Sequence, residues 1–264
     1  LKNYKDKYNV STNYKEIVND VDAVSIVTPT VNHYEIARYF IERNKHVLIE
    51  KPMTQTVSEA KKLINLAKKH KKTIQIGHLE RFNPVIRKVS SLIKNPLFIE
   101  VHRLSQFNPR STDVNVVYDL MIHDIDITTS LVPSKIKKIS SFGKSIITNK
   151  IDIANARLEF FNGTIANLTA SRISQKSERK IRIFEKDKYL SLDFLQPKLK
   201  IVEKVKKKSS KLFKTLEYNY KKTDALNDEI IDFINSIRMN KKPLVDGIQG
   251  MEALKLATAI SKKL

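Results

Sequence analysis

Between Ala23 and Gly77 the chain alternates short apolar runs with amphipathic stretches, and this rhythm restricts the fold more than any other feature. Ala23-Val24-Ser25-Ile26-Val27 is a continuous apolar run bounded by Asp22 and Thr28-Pro29, which predicts a buried parallel strand. Val31 to Arg43 follows, with Ile36, Ala37, Phe40 and Ile41 on one helical face. His46 to Ile49 is a second strand, and Val57 to His70 a second amphipathic helix through Ala60, Leu63, Ile64 and Ala67. Thr73 to Ile76 is a third short strand, closed by Gly77. Strand, helix, strand, helix, strand at this spacing predicts right-handed βαβ units around a parallel sheet.

After Gly77 the rhythm changes. Helices are predicted over Phe82–Lys94 and Asp119–Leu131, with a strand from Phe98 to Phe107 between them. From about Lys135 to Thr215 the chain is mostly strand-like. Ile151 to Phe160 alternates with period two, and Asn162-Gly163 is a hairpin signal. Thr164–Ser171, Lys180–Phe184 and Tyr189–Phe194 continue the pattern, and helices near Asp224–Met239 and Ile248–Lys263 finish the chain. Lysine-dense Lys198 to Lys222 reads as a solvated strand or loop. The expected fold class is α/β plus α+β: a parallel sheet, then a mostly antiparallel sheet domain with helices on one face.

Composition removes several function classes. The net charge is +21, from 49 basic against 28 acidic residues. Lysine supplies most of it and is scattered, whereas specific nucleic-acid readers lean on arginine and aromatic stacking. No specific nucleic-acid partner is expected. No apolar run approaches the length of a membrane span, so no membrane partner is expected either. The absence of cysteine excludes disulfide and thiolate chemistry and suits a reducing compartment, so the expected location is cytoplasmic.

Chemistry is expected at strand ends. Val47-Leu48-Ile49-Glu50-Lys51-Pro52 carries a lysine at the carboxyl tip of a buried strand, where ligands of open α/β sheets sit. Asp119 and His123 are four apart and share a helical face. A carboxylate beside an imidazole orients it and raises its basicity, as a general base for an alcohol proton requires. Their ordinary structural reading is a polar helix face. Asp124 and Asp126 form no specific metal pattern, and no metal is expected. Thr28-Pro29, with His33 after it, also follows a strand tip, although Thr28 could simply cap a helix. Arg81 and Asn83 could recognise a phosphate or a sugar hydroxyl, or merely begin a capped helix at Pro84.

The order of these segments carries more than any one of them. Thr28-Pro29 with His33, then Glu50-Lys51-Pro52, then Asp119-x-x-x-His123, then Asp246-Gly247-x-x-Gly250 resembles the glucose–fructose oxidoreductase, inositol dehydrogenase and MocA family. The resemblance runs from about Val21 to Leu264. His78-Leu79-Glu80-Arg81-Phe82-Asn83-Pro84 is most similar to the branch acting on UDP-N-acetylhexosamines, which includes UDP-N-acetylglucosamine 3-dehydrogenase-like members.

That resemblance implies a Rossmann-like, partial dinucleotide-binding domain in residues 1–78 and a substrate-binding and oligomerisation domain in residues 79–264. It implies hydride transfer between NAD, with NADP also open, and a secondary hydroxyl of a sugar or nucleotide-sugar. Lys51 would favour an alkoxide-like oxygen and His123 would take the hydroxyl proton, with Asp119 holding the substrate or His123. Thr28, Pro29, His33 and Glu50 would line the cofactor edge beside Lys51. Arg81, Asn83 and Arg172 would meet the nucleotide-sugar. A homo-oligomer joined through sheet faces is also implied. The family's opening strand and Gly-rich turn have no counterpart, and the chain reads as starting in the second crossover helix, around Leu1 to Val10. A fragment, half of a split gene, or an inactive remnant serving only for binding or assembly are the three readings this leaves.

Overall fold

The computed structural model describes residues 8–109, 114–205 and 212–264. The expected helix over Leu1–Val10 falls mostly outside them, and Tyr8–Val10 carries none. The chain divides into two compact units: Leu1–Gly77 with Asp232–Met251, and His78–Ile231 with Glu252–Leu264. The break at Gly77 is where the rhythm of the sequence changes. The return of Asp232–Met251 to the first unit is not in the sequence reading, which assigns everything after residue 78 to the second domain.

The first unit holds a three-stranded parallel sheet of β1 (Ala23–Ile26), β2 (His46–Glu50) and β3 (Ile74–Gly77), in that order. Helices α1 (His33–Glu42) and α2 (Val57–His70) are the crossovers. They bury Ala37, Phe40 and Ile41, and Ala60, Leu63 and Ala67. Thr56 accepts from the Glu59 N–H and Glu59 accepts from the Thr56 N–H, a capping box that fixes where α2 begins. Central β2 buries Val47, Leu48 and Ile49, as a strand covered on both faces should. The run at Ala23–Val27 behaves differently: β1 lies at the sheet edge, only Ile26 is buried, and Val27 is 72% exposed.

The Asp246-Gly247-x-x-Gly250 motif explains the returning segment. The Ile76 N–H donates to the Val245 carbonyl, and Gln75 bridges Asp246 antiparallel, so this segment pairs with β3. Asp246 then caps helix α6 (Gly247–Ser261): its carboxylate accepts from the N–H groups of Ile248 and Gln249, and Gln249 accepts from the Asp246 N–H. A Cβ on Gly250 would run into the Ile76 side chain, 3.0 Å from its Cβ. Glycine is therefore what lets the start of α6 lie on β3.

The second unit is built on an eight-stranded sheet, ordered β11-β10-β9-β8-β4-β7-β6-β5. Its strands are β4 (Phe98–Leu104), β5 (Ile136–Lys144), β6 (Ile153–Phe160), β7 (Ile165–Ser171), β8 (Glu178–Glu185), β9 (Lys188–Asp193), β10 (Lys198–Lys204) and β11 (Phe213–Asn219). Every neighbouring pair is antiparallel except β4–β7. Alternate residues such as Ile99, Val101, Ala156, Leu158, Leu168 and Ile183 form a continuous core with α3 (Pro84–Ser90), α4 (Ile122–Leu131) and α6. The opposite face carries polar pairs, among them Asn155–Thr169 and Glu100–Arg182, and the ring contacts of Phe184 with Phe98 and Tyr189. The lysine-dense stretch supplies β10 and β11, and residues 206–211 between them lie outside the description.

The helix expected over Phe82–Lys94 is two pieces, a 3-10 turn at Leu79–Phe82 and then α3. Asn83 breaks it, extended at φ −63° and ψ 129°, because a residue preceding proline disfavours the helical region. The strand expected to Phe107 stops at Leu104. The helix expected from Asp119 begins instead with a π-helical segment, Val117–Met121, ahead of α4. Helix α5 spans Ala225–Arg238.

Replacing Gly250 with valine forces either α6 or Ile76 to shift. The expected loss is about 1–3 kcal/mol of stability, by the cost of overpacking a filled interior, read as a lower Tm in thermal denaturation.

Candidate active site

In the first unit the loops after β1 and β2 form one end of the sheet. Lys51 follows β2 directly, and its backbone is anchored on both sides. The Lys51 N–H donates to the Glu50 carboxylate at 3.2 Å, and Pro52, Met53 and Thr54 behind it are buried. The Thr54 hydroxyl donates to the Thr56 carbonyl at 2.8 Å. Lys51 and Glu50 are themselves half-buried. Glu50 pairs with Gly77 across the sheet, where a Cβ would come within 3.0 Å of the Glu50 carboxyl carbon. Gly77 thus leaves the space the carboxylate fills.

His33 does something other than line an edge. It is 1% exposed, with Nδ1 3.0 Å from the Pro52 carbonyl and Nε2 2.8 Å from the Thr28 carbonyl. The ring ties the loop after β1 to the loop after β2, and it reaches a ligand only through them. Thr28 contributes that carbonyl and caps no helix; the 3-10 turn Thr30–Asn32 has Pro29 at its N-cap, without a side-chain cap. Thr28 and Pro29 are exposed beside the tip of β1.

In the second unit Asp119 sits in the π-helical segment, with His123 one turn on in α4. Asn115 sets the start of this stretch, its side-chain oxygen accepting from the N–H groups of Val117 and Tyr118. Its amide donates to Ser261 at 2.7 Å, and the Tyr118 hydroxyl donates to Thr258 at 3.3 Å, so α6 fixes the stretch from outside. Widened π-turns recur at functional sites because they turn a side chain out of helical register. Asp119 lines a cleft of roughly 400 Å³ with Ser105, Gln106, Asn108, Arg172 and Ser177. Ser105 and Gln106 fall within the strand expected to Phe107, but with Asn108 they lie past the end of β4. Among the described residues no group of three or more His, Asp or Glu could hold a metal ion.

Three residues expected to bind substrate also make contacts within the protein. Arg172 forms the cleft wall, but it is 2% exposed and its guanidinium donates to the carbonyls of Val114 and Ile151 and lies 3.6 Å from Asp152. Arg81 stands 3.5 Å from the buried Asp126 carboxylate. Asn83 caps α3, accepting from the Val85 N–H at 3.0 Å. For Asn83 the ordinary structural reading holds. For the two arginines, burial created a demand for carboxylate partners from other elements, which spacing along the chain does not reveal.

Asp152 is the most constrained carboxylate. Burial alone would raise its pKa. The Thr148 hydroxyl and the N–H groups of Thr148, Ile146 and Ile147 outweigh that and hold it well below the usual carboxylate range.

The comparisons with known proteins agree with this architecture. Residues 2–78 match the family model "Oxidoreductase family, NAD-binding Rossmann fold", and residues 93–263 match its "C-terminal alpha/beta domain". UDP-N-acetylglucosamine 3-dehydrogenase of Acidithiobacillus ferrooxidans is 37% identical over 244 residues, 91% of this chain and 78% of that protein. A solved structure of that enzyme superposes with a TM-score of 0.94 at 34% identity, covering 100% of this chain and 85% of that one. Myo-inositol 2-dehydrogenase of Thermotoga maritima is 24% identical, covering 100% of this chain and 85% of that protein. The chain belongs to the glucose–fructose oxidoreductase, inositol dehydrogenase and MocA family of NAD-dependent sugar oxidoreductases. A match of this breadth favours an oxidoreductase over a remnant kept only for binding.

The residues of the first unit suit the nicotinamide–ribose end of NAD. Exposed Thr28 and Pro29 form a shelf at one strand tip, and half-buried Glu50 and Lys51 offer charge and hydrogen bonds at the next. Gly77 leaves the room that the Glu50 carboxylate occupies.

Removing the Asp152 charge takes the facing carboxylate from Arg172 and the shared acceptor from three N–H groups. Asp152→Ala should cost about 3–5 kcal/mol in denaturant unfolding, the usual penalty for breaking a buried pair. Because the folded pKa is depressed, the stabilisation is complete above the unfolded value of about 4. It falls away as pH drops below that value toward the folded one, so acid unfolding of the parent should be steeper than that of the variant.

Proposed function

We propose that this chain oxidises a secondary hydroxyl of a UDP-N-acetylhexosamine, UDP-N-acetylglucosamine at C3 being the best candidate, with NAD as acceptor. The observation that carries the reading is the 37% identity to UDP-N-acetylglucosamine 3-dehydrogenase over 91% of the chain, together with Lys51 on an anchored strand tip and an Asp119–His123 pair. NAD, when bound, supplies the two-electron oxidation.

The protein's own part is electrostatic and positional. The Lys51 ammonium stabilises negative charge developing on the substrate oxygen. His123 accepts the hydroxyl proton, and Asp119 orients the imidazole or the substrate from one turn away. Thr28, Pro29 and Glu50 hold the cofactor's ribose edge, and His33 fixes the loops that carry them. Gln106, Asn108 and Ser177 offer hydrogen bonds to the polar substrate in the cleft that Asp119 lines. Arg81, Asn83 and Arg172 act by shaping that unit rather than by touching the nucleotide-sugar.

The reading extends to assembly and location. The uncovered face of the eight-stranded sheet, with Phe98, Phe184 and Tyr189 in ring contact, supports a homo-oligomer formed through that face. No helix among the described residues is long and apolar enough to cross a membrane. A cysteine-free chain acting on a nucleotide-sugar fits the cytoplasm.

Incubating the chain with NAD and UDP-N-acetylglucosamine should produce NADH absorbance. Lys51→Ala and His123→Ala should each lower kcat/KM by about 10²–10⁴-fold, the range for a lost acid–base or electrostatic contribution. Undiminished turnover in the double variant would sink the mechanism. Light scattering coupled to size exclusion should give a mass above one chain, and Phe184→Glu should lower it.

A further inference from the structure

The proposed base, His123, is flanked by two buried carboxylates that the mechanism does not use. Asp124 and Asp126 are 2% and 3% exposed, on a helix that also buries Ile122, Ile125, Ile127 and Thr128. Each charge faces an arginine. Arg103 reaches from β4 with Nε and Nη2 both 2.8 Å from the two Asp124 oxygens, a bidentate fork, while its Nη1 donates to Glu80 at 2.9 Å. Glu80 is shared with Arg179 at 3.2 Å. Arg81, the next residue, faces Asp126 at 3.5 Å. Two residues before Glu80, the buried ring of His78 stands edge-on to the ring of His123, with centroids 6.0 Å apart and planes at 89°.

The segment His78–Arg81 is therefore joined to the first two turns of α4 at three points: ring to ring at His78–His123, through Arg103 from Glu80 to Asp124, and from Arg81 to Asp126. A helix bound only by apolar contacts can slide or roll slightly, because such contacts are non-directional. A planar guanidinium with both forks engaged fixes an angle as well as a distance. Burial penalises the Arg103 charge, but Asp124 and Glu80 outweigh it and push its pKa above the ordinary arginine value, so the guanidinium is charged at any working pH, while burial draws the Asp124 carboxyl upward against the pull of Arg103.

We infer that Arg103 is a positioning residue, which, through Asp124 and Glu80 and with Arg81–Asp126 and His78, holds the His123 imidazole in a single orientation for proton transfer. The inference rests on the reading of His123 as the base. Its chemical content is that only the full fork suffices: a lysine at position 103 keeps the charge but meets one carboxylate at a time.

The test uses the full chain and two readouts. Nuclear Overhauser contacts between the rings of His78 and His123, and long-range proton–nitrogen correlations of the imidazoles, should report one His123 tautomer packed on His78. In the double variant Arg103→Met/Asp124→Leu, chosen because apolar replacement of a buried pair preserves folding, the ring contact should weaken and the tautomers mix. With NAD and UDP-N-acetylglucosamine, kcat should fall about 10–100-fold while KM changes less than about threefold, the pattern of a loss felt in the transition state. Arg103→Lys should give the same split, milder, and stands in if the double variant does not fold. A folded variant that keeps the ring contact, the single tautomer and the parent kcat overturns the inference. His123→Ala, run in parallel, separates the two claims. If it is inactive while the Arg103 variants match the parent, only the positioning role fails. If it retains full activity, the base assignment fails and takes the positioning role with it.

Discussion

A guanidinium sunk among isoleucines must find carboxylates or be expelled, and the second unit is arranged around that demand. Arg103 lies on the inward face of β4 beside Ile99 and Val101, where an unpaired charge would be untenable. Its two forks select Asp124 on α4 and Glu80 in the turn after Gly77. The same logic, repeated with Arg172 and Asp152, anchors the loop before β6 and one wall of the cleft. Apolar burial sets how much of this unit is folded; the buried pairs set at which angle the pieces meet.

The parallel half was legible because its signals are local. The run at Val47–Ile49 and the three-and-four spacing of Ala60, Leu63 and Ala67 each report their own burial. The place of Lys51 at a strand tip was legible for the same reason, whereas the π-helical segment that carries Asp119 was not. What escaped was pairing at a distance. Nothing in Ser171-Arg172 announces that Asp152 will take the arginine, and nothing around Arg81 announces Asp126, so both were expected to reach for substrate. The low burial of β1 does not show in its composition, because an apolar run reads alike whether one neighbour covers it or two. Arg103 was readable in principle: period two from Ile99 through Val101 puts it on the core face.

The loops after β1 and β2 show how two strand tips can be held together by one buried ring. His33 spans two carbonyls, one from each loop, and the lysine and the exposed Thr28-Pro29 shelf are held through it. The residues facing a cofactor and the residues holding that face are separable sets. Sequence pattern merges them because both fall near the same strand tips.

The pairing of Val245–Asp246 with β3 has a bearing on how the protein is made. A ribosome delivers Ile76 long before Val245, with almost the entire antiparallel sheet in between. Closing such a distant contact carries a loop-entropy cost that must be met before packing rewards it. The sheet translated first is thus the one completed last, and its third strand waits with an open flank until the emerging start of α6, slimmed by Gly250, can settle against Ile76.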